Sequence, residues 1–155
     1  MWTCVPRGWW GREYGIAERG APVATLSFGA WNGGGAILAD GERLTLERRG
    51  FWNPKYDLLR RHERVAVAER AGAFRGGFYV AGGDLELRLE PASFLSRTCR
   101  VWQKSHVAGE IRPRGWFGRT LEIELEEELP FELRLFVVWL FVLRQRQAAA
   151  AAAAS

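Results

Sequence analysis

Up to Leu125 the chain alternates apolar and polar positions in short runs. Tyr14 and Ile16 are spaced by two, as are Ala24 and Leu26, Leu44 and Leu46, and Leu85, Leu87 and Leu89. That spacing turns one face of a β-strand inward. After Leu125 the period is lost. Residues 135–143 contain no polar side chain and belong to the longer stretch LPFELRLFVVWLFVL, which reads as a helix. Pro130 suits a first turn, Glu126, Glu127 and Glu128 lie where a helix dipole favours negative charge, and Arg144 and Arg146 suit the opposite end. The expected helix covers residues 129–146.

The strands recur in three copies. The segment GWWGREYGIAE from Gly8 is followed 42 residues later by GFWNPKYDLLR from Gly50, and 43 residues after that by SFLSRTCRVWQ from Ser93. The aromatic pair Trp9-Trp10 becomes Phe51-Trp52 and then Phe94-Leu95. Tyr14 and Ile16 become Tyr56 and Leu58, then Cys99 and Val101. With the same offsets, Ala24 and Leu26 match Ala66 and Ala68, then Gly109 and Ile111. Ala36 and Leu38 match Phe78 and Val80, then Leu121 and Ile123. All of these matched positions are expected on the inner face. The first copy then has strands near 12–18, 22–28 and 35–39, with a fourth at 43–47 whose counterpart is 84–90. Asp40-Gly41 and Gly82-Gly83 suit two-residue hairpin loops that need positive φ.

The third copy stops short. After Leu125 come three glutamates and no turn pair. The missing strand is supplied by Trp2, Thr3, Cys4 and Val5, which precede Gly8 as the fourth strand of copy one precedes Gly50. The expected fold is all-β: a closed barrel of roughly twelve strands, built from three four-stranded repeats around a buried C-terminal α-helix. A helix apolar on every side must be enclosed. A membrane could enclose it, but a span needs about 20 apolar residues. A barrel of this strand number has room for a helix. Ala24, Ala66 and Gly109 are small, as a wall meeting a central rod requires. Residues 1–147 form the expected domain, and 148–155 an alanine-rich tail that extends the helix or frays.

With 155 residues, 48% of them hydrophobic, the chain is not a disordered segment. The net charge of +4 permits a nucleic-acid or anionic-lipid partner without demanding one. Two cysteines are too few for a disulfide framework, and no basic run followed by an apolar run marks a signal peptide. The expected location is the cytoplasm, free or at a membrane surface.

Little chemistry can be assembled from these residues. His62 and His106 have no metal-ligand spacing, and Cys4 and Cys99 fall at inward positions, so no metal or other cofactor is expected. Gly33-Gly34-Gly35 lacks the phosphate-loop pattern and precedes a strand, with Trp31 crowding its start. Glu122, Glu124 and Glu126 alternate with Ile123 and Leu125, as a solvated outer face would. No nucleophile–base pair is visible, and the expectation is a protein that is not an enzyme. The best candidates for function are basic. Arg48, Arg49, Lys55, Arg60, Arg61 and Arg64 are interleaved with Phe51, Trp52 and Tyr56. A second group, Arg112, Arg114 and Arg119, surrounds Trp116 and Phe117. Beside exposed aromatics these cations would suit an anionic ligand such as lipid headgroups. The competing expectation pairs them across strands with Glu47, Glu63, Glu69 and Glu90. It packs the aromatics as repeat corners, which their recurrence in every copy favours.

The aromatic-pair repeats at Trp9-Trp10 and Phe51-Trp52, the GWFGR at 115–119 and the stretch ELPFELRLFVVWL resemble the tubby C-terminal-like superfamily. That superfamily includes tubby domains, LURP-one-related proteins, phospholipid scramblases and many bacterial proteins, and this chain is most similar to the bacterial members. The resemblance implies a twelve-stranded barrel threaded by a C-terminal helix. Tubby domains bind phosphoinositides through exterior basic side chains, although none of those positions can be matched here. Neither the cysteine-rich segment nor the calcium-binding stretch of the scramblases is visible. The expectation is a non-enzymatic binding module for anionic phospholipid headgroups at a membrane surface. The alternative is a protein-interaction scaffold without a small ligand; nucleic-acid binding is less favoured. Oligomeric state is left open.

Overall fold

The period-two runs all form strands in the computed structural model, which describes residues 1–8, 11–30, 33–72, 77–93, 96–115 and 119–155. In chain order they are β1 (Trp2–Arg7), β2 (Glu13–Glu18), β3 (Ala21–Phe28), β4 (Gly35–Ala39), β5 (Glu42–Arg49) and β6 (Lys55–Arg60). There follow β7 (Glu63–Arg70), β8 (Phe78–Gly82), β9 (Leu85–Pro91), β10 (Cys99–Gln103), β11 (His106–Pro113) and β12 (Leu121–Leu125), then one helix, α1 (Phe131–Ala154). Each strand pairs antiparallel with the next, and β12 pairs back onto β1 to close a twelve-stranded barrel. The closing seam is short: Trp2 faces Ile123, Thr3 faces Glu122 and Cys4 faces Leu121.

The threefold repeat is visible in the register. Cys4 lies opposite Ile16, Leu46 opposite Leu58 and Leu89 opposite Val101. The N-terminal strand therefore occupies the fourth-strand position that the third copy lacks. Each copy also carries one bulge at the matching place, after Ile16, Leu58 and Val101. A bulge strengthens local twist and bends the strand, and repeating it around the wall helps the sheet curl into a ring.

The offset slips by one residue within the first repeat. Ile37 pairs with Leu44 and is fully buried in the core, whereas Leu38 pairs with Arg43 and is exposed. Ile37 is thus the counterpart of Val80 and Ile123. The expectation that Ala36 and Leu38 face inward is wrong for β4: the β7–β8 connection is one residue longer than the β3–β4 connection, and a one-residue shift exchanges the two faces of a strand. Ala36 is buried, but outside the core cluster. The same shift moves the second hairpin. Asp40 and Gly41 make the first loop with φ of 51° and 72°, whereas Gly82 still pairs with Leu85 and the second loop is Gly83-Asp84.

Inside the ring, α1 buries Leu133 and every residue from Leu135 to Leu143. Trp139 is fully buried. It stacks on Phe28 at 5.0 Å, meets Tyr56 edge-on at 6.0 Å, and donates its indole N–H to the Ser27 carbonyl at 3.1 Å. Small wall residues matter, for two different reasons. A Cβ on Gly82 would lie 2.7 Å from the Leu133 side chain, so there the helix dictates the glycine. On Gly109 a Cβ would lie 2.1 Å from the Glu124 carbonyl oxygen, so the neighbouring strand dictates it and the central helix does not.

The helix outruns its expected end. Pro130 is its N-cap rather than a first-turn residue, and no side chain caps it. The alanine tail continues the helix to Ala154, as the high helix propensity of alanine allows. At ~1.5 Å per residue the 24 residues of α1 span about 36 Å. Strands of five to eight residues reach only ~17–26 Å. Arg144 and Arg146 therefore mark where the helix leaves the barrel. By length and composition α1 could also cross a membrane, but half of its apolar window is enclosed by the barrel wall.

Replacing Trp139 with Asp should unfold the domain. Truncating a buried Trp costs ~3–5 kcal/mol, and an unpaired buried carboxylate adds to that. Far-ultraviolet circular dichroism and urea titration check the prediction; a variant that keeps the wild-type transition would contradict it.

Candidate functional site

Because consecutive strands alternate direction, the connections alternate between the two barrel mouths. The helix enters at one mouth, which carries the short hairpins β2–β3, β4–β5, β6–β7, β8–β9 and β10–β11. It leaves at the other, which receives the six longer connections starting with β1–β2 and ending with β11–β12. At the exit, Arg146 donates to the Gly11 carbonyl and lies over the Phe28 ring at 4.9 Å. Gln147 donates to the Tyr56 hydroxyl at 3.3 Å and accepts from Arg70. These contacts form a polar collar around the emerging helix.

The two mouths differ in composition. The long connections 8–12, 29–34, 50–54, 71–77, 92–98 and 114–120 contain no Asp or Glu, and they include Arg12, Arg97, Arg114 and Arg119. The entry mouth carries Asp40, Asp84, Glu126, Glu127 and Glu128 against Arg19, Arg61 and Lys104. One end of the barrel is thus basic and the other leans acidic.

The nine basic candidates do not form one cluster. Arg48, Arg49, Lys55, Arg114 and Arg119 lie at the exit end, Arg60 and Arg61 at the entry end, and Arg64 and Arg112 on the outer wall. Arg48 continues the inward face of β5 after Leu44 and Leu46, but at the rim, where it is exposed and packs over Gly33. Arg48 and Arg119 have no ion-pair partner among the described residues. Arg49 is committed: it grips Asp57 with Nε–Oδ2 at 2.5 Å and Nη2–Oδ1 at 3.0 Å, and Arg64 stands 3.8 Å from the same carboxylate. Lys55 is 3.7 Å from Glu69, the one expected cross-strand partner that the structure bears out. Arg114 reaches Glu122 at 3.3 Å.

Asp57, Glu42 and Glu132 are partners that sequence reasoning missed. Asp57 stands between the inward Tyr56 and Leu58 and lies diagonally across from Arg49, two residues beyond its pairing partner Lys55, a relation visible only once β5 and β6 are paired in register. Arg60 bridges Glu42 and Glu132, the second 72 residues away, and no local pattern announces it.

The electrostatics follow these pairs. The Asp57 hydrogen bond, with its charge, raises the Arg49 guanidinium above its ordinary value. The hydrogen bond from Arg60 holds the Glu132 carboxyl below the usual carboxylate range, helped by the helix N-terminus. At Arg112 burial opposes the charge, but the hydrogen bond to Glu124 and the charges of Glu124, Glu122 and Glu110 outweigh it, so its pKa rises. Glu122 and Glu124 thus lie on the outer face as expected, whereas Glu126 falls in the turn after β12, next to His106.

Phe51 and Trp52 are 81% and 93% exposed, and among the described residues each ring meets only the other, edge-on at 5.5 Å. The expectation that repeat-corner aromatics are packed therefore fails for this pair. Trp9, Trp10, Phe94, Leu95, Trp116, Phe117 and the strand-crowding Trp31 lie outside the described residues. Cys4 and Cys99 are buried in the core, and burial pushes both thiols up to about 12. Gly35 of the glycine run opens β4, where a Cβ would lie 2.0 Å from the Ser27 carbonyl oxygen; close strand packing explains it without a phosphate. Among the described residues no three His, Cys, Asp or Glu side chains gather as metal ligands would. A groove of about 940 Å³ runs outside the wall past Lys55, Glu69, Tyr79, Asp84 and Arg88, with both signs of charge along it. No protein-family model matches the chain, and no curated protein or solved structure matches it either.

Folding lowers the Glu132 pKa, so on acidification the unfolded chain takes up this proton first. The Arg60–Glu132 contribution is present at neutral pH and is lost as pH falls through the folded-state value. Urea midpoints measured from pH 7 down to pH 3 should fall less steeply for Glu132→Gln than for the wild type. Parallel curves would show that this pair does not carry the acid sensitivity.

Proposed function

We propose that this chain is a non-enzymatic module that binds anionic phospholipid headgroups at a membrane surface through the mouth from which its helix emerges. The observation that carries this reading is the segregation of charge between the two barrel ends. The exit-side connections hold arginines and no carboxylates, and Arg48 and Arg119 stand there without ion-pair partners among the described residues. Cations near an anionic bilayer contribute ~1 kcal/mol each, so a small set on one rim is enough for reversible attachment. Arg60, Arg64 and Arg112 belong to internal ion pairs and play no part, and Arg61 points away with the entry mouth. A twelve-stranded barrel threaded by its C-terminal helix is also the architecture implied by a resemblance to the tubby C-terminal-like superfamily. That agreement in architecture supports the resemblance. Because the cytoplasmic leaflet is the anionic one, the proposed place of action is the cytoplasmic face of a membrane.

A second reading, a protein-interaction scaffold, draws on the outer wall. There Arg100, Arg112 and Arg114 sit among Glu110, Glu122 and Glu124, a patch that is charged yet internally balanced.

Co-sedimentation with phosphatidylcholine vesicles, with and without phosphatidylserine, separates the two. Binding should require the acidic lipid. It should weaken about tenfold or more in the double variant Arg48→Glu/Arg119→Glu, as expected from ~1 kcal/mol per cation removed and more per reversal. Arg61→Glu, at the opposite mouth, should bind as the wild type does. Equal and negligible pelleting with both lipids would sink the proposal.

A further inference from the structure

We propose that Phe51 and Trp52 form an insertion element that seats the exit mouth end-on in the headgroup layer; this rests on the phospholipid reading above. The pair is the tip of the β5–β6 connection, GFWNP, between Gly50 (φ 85°) and Pro54. A soluble domain normally packs its large aromatics, and the same fold does so with Phe28, Tyr56 and Trp139. Here two rings are left exposed and, among the described residues, their ring contact is with one another. An indole has an apolar body and one N–H donor, which suits the boundary between headgroups and acyl chains.

The surroundings fit that boundary. Arg48, which has no ion-pair partner among the described residues, precedes the tip on the same rim, so a cation stands behind the rings, at the depth where lipid phosphates would lie if the rings entered the boundary. From the same mouth α1 projects its exposed alanine turns, residues 148–154, which carry no charge and extend about 10 Å at ~1.5 Å per residue. The other long connections repeat the composition in sequence: each contains at least one Trp or Phe and none contains an acid. A second copy of the chain is a poor occupant, because two such mouths face to face would oppose like charges.

The test uses the full chain with a single added cysteine, Trp52→Cys or Ser105→Cys, labelled with a polarity-sensitive fluorophore. Ser105 lies exposed in the β10–β11 hairpin at the entry mouth. Cys4 and Cys99 are buried, with thiols at about 12, and do not compete for the label in the folded protein. With vesicles of three parts phosphatidylcholine to one part phosphatidylserine, the label at 52 should shift to the blue and brighten severalfold while the label at 105 stays unchanged. In parallel, Phe51→Ser/Trp52→Ser should lose about tenfold or more in vesicle affinity and keep the wild-type urea midpoint, since neither ring packs on the core. Pelleting without a shift at 52 would overturn the insertion and leave headgroup binding standing. Loss of pelleting for the unsubstituted protein would overturn both. A label at 52 that responds to protein concentration without vesicles would assign the face to a second copy and overturn the proposal.

Discussion

A nine-residue helical stretch with no polar side chain cannot face water on any side, and the rest of the molecule follows from that constraint. The wall must be wide enough to admit a helix and closed enough to leave it no wet flank, which a twelve-stranded antiparallel ring satisfies. Three copies of one four-strand unit make such a ring with little new information: the same inward positions, the same bulge and the same register recur in each. The fit between rod and wall is set side chain by side chain. Gly82 is small because Leu133 occupies the space, and Trp139 is held by stacking against Phe28 and by a hydrogen bond to the Ser27 carbonyl.

Enclosing the helix also gives the barrel a direction. The chain leaves β12 at one mouth, threads the lumen and comes out at the other, so the ends cannot be equivalent. The entry end is occupied by the turn into α1 and by the Glu42–Arg60–Glu132 bridge that ties the first turn of the helix to the wall. At the exit end the described residues hold the helix by the collar at Arg146 and Gln147, and the connections there are longer than the entry hairpins. With the lumen filled by α1, the proposed function is one of the surface. The surface at that mouth is basic and, at Phe51 and Trp52, apolar.

Much of the fold was legible because strands and helix differ in period, and because repeats held at offsets of 42 and 43 residues expose their own missing member. Cys4 belongs to the inner wall by the position of residues 2–5 ahead of Gly8, and the register puts it in the place of Leu46 and Leu89. The errors arose where one residue decides a face. The longer β7–β8 connection puts Ile37 inside and Leu38 outside, and no ungapped offset can show that. Arg144 and Arg146 looked like a helix end because basic residues favour that position, yet the alanines beyond them keep the helix going. The basic run of Arg48 to Arg64 was the least legible part. Proximity in sequence places its members on three strands and a hairpin that together reach both mouths, and the partners that neutralise Arg49 and Arg60 become visible only through strand pairing and helix placement.

The central claim is that helix and barrel are one cooperative unit, with α1 as its innermost element. Native-state hydrogen exchange in buffer without detergent or lipid tests this most directly. The account predicts that amides of residues 135–143 exchange only through global unfolding, at the same free energy as the most protected amides of β6 and β10, while those of 148–154 exchange rapidly. Exchange at 135–143 through a separate opening of lower free energy, with the strands still protected, would contradict it.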